Sequence, residues 1–290
     1  MRVVLLICLA SFVRGEESFE EKLREGNQLL KNEPNVDDTM KFLEKLHSME
    51  KEIENELSVS AKPNADELKA MKNYAAIKQP HMKSIGETIE EVNRNRKVDT
   101  ALFQGDIILT RQQADEIMED IKDNEGNRNK RQAFRDENYP KTLWSDGLYF
   151  AFWNATAAAR RVFMRAAGMW SYDTCVNFGE THSAKDKVLV MQSAGCWSHI
   201  GKIGGTQGLS LGVECEDVGV AAHEIGHALG LFHTQSRHDR DNFINLYVQN
   251  IRPDWRSQFV KQTERTNYNY NITYDYGTIM HYGATTLEDS

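Results

Sequence analysis

The sequence predicts an α+β protein, a mostly helical first half followed by a second half in which short strands and helices mix. Three observations carry that reading. Phe42, Leu46, Met49, Ile53 and Leu57 recur at steps of four, three, four and four, the spacing of one apolar helix face. Two apolar runs, LYFAFW at 148–153 and KVLVMQ at 187–192, have the length and residue types of buried strands. The stretch 217–233, DVGVAAHEIGHALGLFH, is helical in pattern up to Gly230. At a soft prior of about 150 residues per domain, 290 residues suggest two units.

In chain order, residues 1–15 (MRVVLLICLASFVRG) have a basic start, an apolar stretch and a small residue for cleavage at Gly15, the pattern of a signal peptide. An acidic run follows at once. Residues 16–131 read as amphipathic helices, punctuated by Pro63 and Pro80. Residues 122–131 (KDNEGNRNKR) lack apolar periodicity and read as an exposed linker. Within it Arg128-Asn-Lys130-Arg131 fits a site for a basic-residue protease, on the boundary between an acidic helical half and an aromatic-rich half. The second unit, 132–290, opens with strand 148–153. A helix from Thr156 to Ala167 follows, capped near Asn154 or Thr156, then strand 187–192 and a loop over Gly201–Gly208. That loop lacks the GxxxxGK[ST] pattern of a phosphate cradle. Asn154-Ala-Thr156 and Asn271-Ile-Thr273 match the glycan acceptor triplet.

Composition excludes some functions. Apolar residues make up 40% and charged residues 27%, with a net charge of −8 and no basic stripe, so nucleic acid is not an expected partner. No apolar run reaches the ~18 residues of a membrane span. Of four cysteines, Cys8 falls in the signal segment, leaving Cys175, Cys196 and Cys215, an odd count for an exported protein.

The chemistry is concentrated in His223-Glu224-Ile225-Gly226-His227. Four residues of helix turn through about 400°, so the two histidines stack on one face and can grip one metal ion together. Glu224 lies beside them, within reach of a water on that ion. His233 comes six residues later; in an unbroken helix it would point about 120° away. Gly230 resolves this, because glycine takes positive φ, ends the helix and turns the chain back. HExxHxxGxxH is therefore two helical ligands, a glycine break and a third ligand. Three imidazoles and an open position suit catalytic Zn²⁺; a structural site would draw on Cys and have no use for Glu224. Water on such an ion becomes acidic near neutral pH, and Glu224 can take its proton and return it to a leaving amine.

HEIGHALGLFHTQSRHDRD, followed by GTIMHY at 277–282, resembles the astacin family of zinc endopeptidases, a branch of the metzincins. The resemblance covers roughly 132–290, including TCVNF around Cys175 and GCWSHIG around Cys196. It implies a two-lobed domain. An upper sheet, a backing helix and the zinc helix would face a largely irregular lower lobe across a substrate cleft. It implies one zinc held by His223, His227 and His233, with Glu224 as general base. Tyr282 would be a further zinc ligand at rest and an oxyanion stabiliser during catalysis, and Met280 the packed residue of the Met-turn. It also implies a Cys196–Cys215 disulfide, a partner for Cys175 beyond Ser290, and a catalytic domain that continues past Ser290. Phe103-Gln104-Gly105-Asp106 resembles the FxGD motif of astacin propeptides, which implies that 16–131 is a propeptide and that Asp106 occupies the zinc position that water needs. Cleavage near Arg131 by an activating protease would free Gln132 or Ala133. One departure stands out: most members carry Glu directly after the third histidine, where it meets the mature N-terminus. Here Thr234 cannot supply that charge.

The expectation is a secreted zymogen of an endopeptidase acting on proteins or peptides. Two other readings differ from it, an inactive binding module on the same fold and a zinc hydrolase of small amides. The retained Glu224 and Tyr282 argue against the first. A long inhibitory segment argues against the second.

Overall fold

The structure is a computed structural model and describes residues 17–57, 65, 66, 69, 88–123, 133–134, 139–263 and 267–283. The expected signal segment, Pro63, Pro80, Gln132 and the basic run with Arg131 lie outside the described residues.

The first half is helical. Helix α1 (Phe19–Leu30) begins with a capping box, Ser18 and Glu21 each bonding the other's backbone N–H. Helices α2 (Val36–Ser48) and α3 (Glu50–Leu57) replace the single helix expected over 42–57. The chain leaves helical geometry at Met49, whose N–H turns back to Leu46. The apolar stripe survives the break: Phe42, Leu46, Ile53 and Leu57 are all buried. The break swings α3 onto a 3₁₀ segment of the second half, Pro253–Phe259, where Glu54 pairs with Arg256 at 2.8 Å. Helix α4 (Ile89–Asn95) has a second capping box, Thr88 with Glu91. Strand β1 (Ile107–Ile108) and helix α5 (Arg111–Asp123) follow. Lys122 and Asp123, expected in the linker, belong to α5.

The second half contributes most of a six-stranded sheet. In chain order it holds β2 (Ala133–Phe134), β3 (Leu148–Trp153), helix α6 (Ala157–Asp173), β4 (Phe178–Glu180), β5 (Lys187–Met191), β6 (Cys196–His199), β7 (Thr206–Leu211), helix α7 (Val218–Ala228) and β8 (Asn267–Tyr268). The sheet runs β1-β6-β7-β5-β3-β4, and β2 pairs with β8 separately. Strands β7, β5, β3 and β4 are parallel, and β6 runs antiparallel to β7. Strand β1, from the first half, covers the outer edge of β6 in parallel register, Ile107 opposite Ser198 and Ile108 opposite His199.

Two local expectations are corrected. Helix α6 is capped by Thr156, whose hydroxyl accepts from Ala159 N–H, but it runs on to Asp173. Its extra turns pack on α7, where the Trp170 indole donates to the Ala222 carbonyl at 2.9 Å. The loop expected over Gly201–Gly208 is partly strand, since β7 starts at Thr206. Gly208 sits there because the Trp197 ring leaves a Cβ only 2.9 Å.

Two apolar clusters hold the molecule together. One joins the sheet to α6 and α7 through Phe150, Phe163, Val190, Leu209 and Ile225. The other crosses between the halves, packing Leu23, Leu43, Phe103 and Ile107 with Trp197, Phe232, Trp255 and Phe259. The ion pairs Lys22–Asp254 and Arg252–Asp99 close the same boundary at 2.7 and 3.0 Å.

Cys196 and Cys215 form the expected disulfide, tying β6 to the approach of α7. Cys175 is exposed with a free thiol. The bridge closes a loop of 19 positions, for which chain entropy gives about 3 kcal/mol. We expect Cys215→Ser to lower the unfolding free energy, extrapolated from denaturant titration, by about that amount. A shift below about 1 kcal/mol contradicts it.

Candidate active site

Helix α7 starts at Asp217, whose carboxylate accepts from Gly219 N–H at 2.7 Å, and ends in a two-bond glycine cap. Gly230 has φ of +102°; its N–H bonds His227 O, and Leu231 N–H reaches back to Gly226 O. This turn, which a side chain at position 230 would strain, brings His233 back toward the face shared by His223 and His227. Met280 lies beneath, its Sδ 2.5 Å from where a Cβ on Gly226 would be.

Each imidazole is oriented by an acceptor at Nδ1. His223 donates to Ile279 O at 2.7 Å, His227 to Leu231 O at 2.7 Å, and His233 to Gln104 Oε1 at 3.0 Å. With Nδ1 as the donor, the neutral ring presents a lone pair at Nε2. These Nε2 atoms converge. That of His223 lies 3.0 Å from His227 Nε2 and 3.1 Å from His233 Nε2.

Asp106 enters from the first half. Its Oδ2 stands 3.1 Å from both His223 Nε2 and His233 Nε2, and its Oδ1 3.3 Å from His227 Nε2. Oδ1 is buried without a hydrogen bond. The four ligand atoms lie within 4.8 Å of one another, all buried. Ligands around a tetrahedral zinc at ~2.0–2.1 Å stand roughly 3.3 Å apart, close to these contacts. Three lone pairs and a carboxylate held face to face repel one another unless a cation lies among them. The donor set therefore fits one Zn²⁺.

The electrostatics agree. Burial disfavours charge on Asp106, but the facing His233 and His227 outweigh it and hold the carboxyl well below the usual range. Burial, against the pull of Asp106, keeps His233 at about 3 and lowers His227, the neutral forms a metal needs. At His223 burial is the largest single influence and lowers the pKa, but the bond to Asp106, its charge and the Ile279 carbonyl together outweigh it and raise the pKa.

Asp106 is delivered by a tight loop. Phe103 and Ile107 exchange both backbone bonds, at 2.8 and 3.0 Å, with Gln104 and Gly105 in left-handed geometry between them. The Trp255 ring leaves no room for a Cβ at Gly105, its edge standing 2.5 Å away. Gln258 grips the loop from below, accepting from Gln104 N–H at 2.8 Å and donating to Leu102 O at 3.3 Å.

Glu224 is fully buried, and neither of its oxygens has a hydrogen bond. Burial, then the charges of Asp106 and Glu90, push its carboxyl well above the usual range. The Tyr282 ring lies 4.5 Å from that of His233, and its hydroxyl donates to Gln104 O. Thr234 is buried, its N–H bonded to Met280 O.

The candidates named from sequence thus meet at one place, Asp106 reaching His223 across 117 positions of chain. Sequence reasoning missed Gln104, Gln258, Glu90 and the Ile279 carbonyl. Gln104 lay inside the FQGD motif, and its side chain could have been asked for an acceptor role; the others had no local signal.

The zinc metalloproteinase nas-31 of Caenorhabditis elegans is 43% identical over 214 residues, covering 72% of this chain and 35% of that protein. The zinc metalloproteinase nas-37 of the same organism is 34% identical over 213 residues, covering 73% and 27%. The chain thus spans about a third of the length of these relatives. Among solved structures, high choriolytic enzyme 1, a hatching enzyme zinc-protease from Oryzias latipes, matches with a TM-score of 0.50 and 29% identity. That match covers 55% of this chain and 82% of the enzyme. A model of the astacin peptidase family takes in residues 136–290, just over half of the sequence, and the chain belongs to that family.

Proposed function

We propose that this chain is the secreted, latent precursor of a zinc endopeptidase that cuts peptide bonds in proteins. Its first half, 16–131, is the inhibitory propeptide and 132–290 the catalytic domain. The observation that carries this reading is the meeting of three Nε2 lone pairs with a carboxylate from the other half of the chain. His223, His227 and His233 hold the zinc, and Asp106 holds its fourth position while the precursor is intact.

Zinc bound there supplies Lewis acidity and makes a coordinated water acidic near neutral pH. Glu224 takes one proton from the attacking water as its oxygen bonds to the scissile carbonyl carbon. As the C–N bond breaks, Glu224 returns that proton to the leaving nitrogen. The Tyr282 hydroxyl, already a donor to a peptide carbonyl at Gln104, is placed to donate to the substrate oxygen as charge gathers on it. The edge of β6, freed of β1, offers backbone groups to an extended substrate.

Cleavage near Arg131 by a basic-residue protease releases the block. The glycan acceptors at Asn154 and Asn271 are both exposed, in keeping with export.

The test is metal analysis and peptide hydrolysis on chain processed at Arg131. One zinc per chain is expected, with casein cleavage abolished by a chelator and restored by zinc. Protein without metal, or cleavage indifferent to chelation, overturns the proposal. Zinc retained with no hydrolysis assigns the chain to a binding module.

A further inference from the structure

The edge of β6 carries a second contact besides β1. Asn93, in α4, is fully buried. Its Nδ2 donates to Cys196 O and to Gly105 O, both at 2.7 Å, and its Oδ1 accepts from Cys196 N–H at 2.8 Å. Both donor hydrogens of the carboxamide and its acceptor are thus engaged.

The pairing with Cys196 has a particular form. One carboxamide meets both the N–H and the C=O of a single strand residue. An opposite residue in an antiparallel ladder exchanges the same two bonds. Cys196 and Ser198 are alternate residues of β6, so their backbone groups point to the same edge. On that edge Ser198 N–H donates to Asp106 O at 3.0 Å. The first half therefore fills the edge twice, with main chain at Ser198 and with a side chain at Cys196.

Neighbouring residues are shaped to this contact. Gly195 has φ of +78°, and a Cβ there would overlap Asn93 Oδ1 and the Val98 side chain. The capping box at Thr88 and Glu91 fixes the start of α4. The bond to Gly105 O then ties Asn93 to the residue before Asp106.

We propose that Asn93 is a second determinant of latency, its carboxamide standing in for a substrate residue's main chain at Cys196. This rests on the reading of the first half as an inhibitory propeptide. Asp106 closes the metal position, and Asn93 closes the peptide-binding edge beside it.

The test uses the full-length precursor with Arg131 replaced by Ala, so that processing adds nothing. Asn93→Leu keeps the shape and removes every bond; Asn93→Asp keeps the acceptor for Cys196 N–H and loses the two donors. Amide exchange and turnover of an eight-residue quenched peptide are read for both, beside Asp106→Ala. For Asn93→Leu we expect faster exchange at Cys196, retained protection at Ser198, and about tenfold higher turnover than the parent. Asn93→Asp is expected to show the turnover rise with a smaller change at Cys196, which covers the case in which the leucine variant fails to fold. If both Asn93 variants stay as silent as the parent while Asp106→Ala is active, the role of Asn93 is wrong. If Asp106→Ala is silent too, with zinc bound, the propeptide reading itself fails.

Discussion

Asp106→Ala in the unprocessed chain is expected to raise basal proteolysis by about 10- to 100-fold. The carboxylate faces three imidazoles at 3.1–3.3 Å and is fully buried. Hydrogen bonds to charged groups contribute about 1.5–3 kcal/mol, which sets that range. Alanine removes the group that competes with water and leaves the rest of the loop in place. Gln258 still holds Leu102 and Gln104, and Trp255 still packs on Gly105. Latency is therefore expected to weaken without collapsing. The measurement is casein hydrolysis by precursor in which Arg131 is also Ala, with zinc content in parallel. A precursor that binds zinc and stays silent without Asp106 removes this residue from the inhibitory role.

The parts of this site that were legible in the sequence obey short-range rules. His223 and His227 share a helix face because of their spacing, and Gly230 announces the turn that His233 requires. Both follow from helix geometry and from the steric freedom of one residue. FQGD was readable only as a family likeness, since four residues do not specify where a loop docks. Asn93, Gln258 and the Ile279 carbonyl were not readable. Each acts through a partner far along the chain, and no periodicity encodes such a pairing. The secondary-structure misses share one cause. Met49 breaks a regular apolar stripe, α6 outruns its expected end, and Gly208 enters a strand. In each case a tertiary contact, with the Pro253–Phe259 segment, with Ala222 or with the Trp197 ring, overrides local preference.

Replacing Glu224 with Ala in the processed enzyme is expected to leave one zinc per chain and to lower kcat/KM on a peptide by about 10²- to 10⁴-fold, the usual range for a positioned acid–base group. The two effects separate because Glu224 and the ligands do different work. Glu224 is not among the four groups that converge on the metal position. Both of its oxygens lie buried without hydrogen bonds, so no backbone group or ligand depends on it for orientation. The acceptors that aim His223 and His227 are the Ile279 and Leu231 carbonyls, both in the second half; Gln104, which aims His233 in the unprocessed chain, leaves with the first half and is equally absent from both Glu224 variants and their parent. Its raised pKa comes first from burial and then from the charges of Asp106 and Glu90, both of which lie in the first half. On the proposed reading, removal of the first half takes those two charges away and moves the carboxyl toward the ionised state a general base requires. Glu224→Gln, which keeps the volume, guards against a cavity effect and is expected to match alanine in zinc content and in lost turnover. Atomic absorption and steady-state kinetics on both variants decide the matter. Undiminished turnover in either removes Glu224 from proton transfer, and loss of zinc in both makes it a structural support of the metal site.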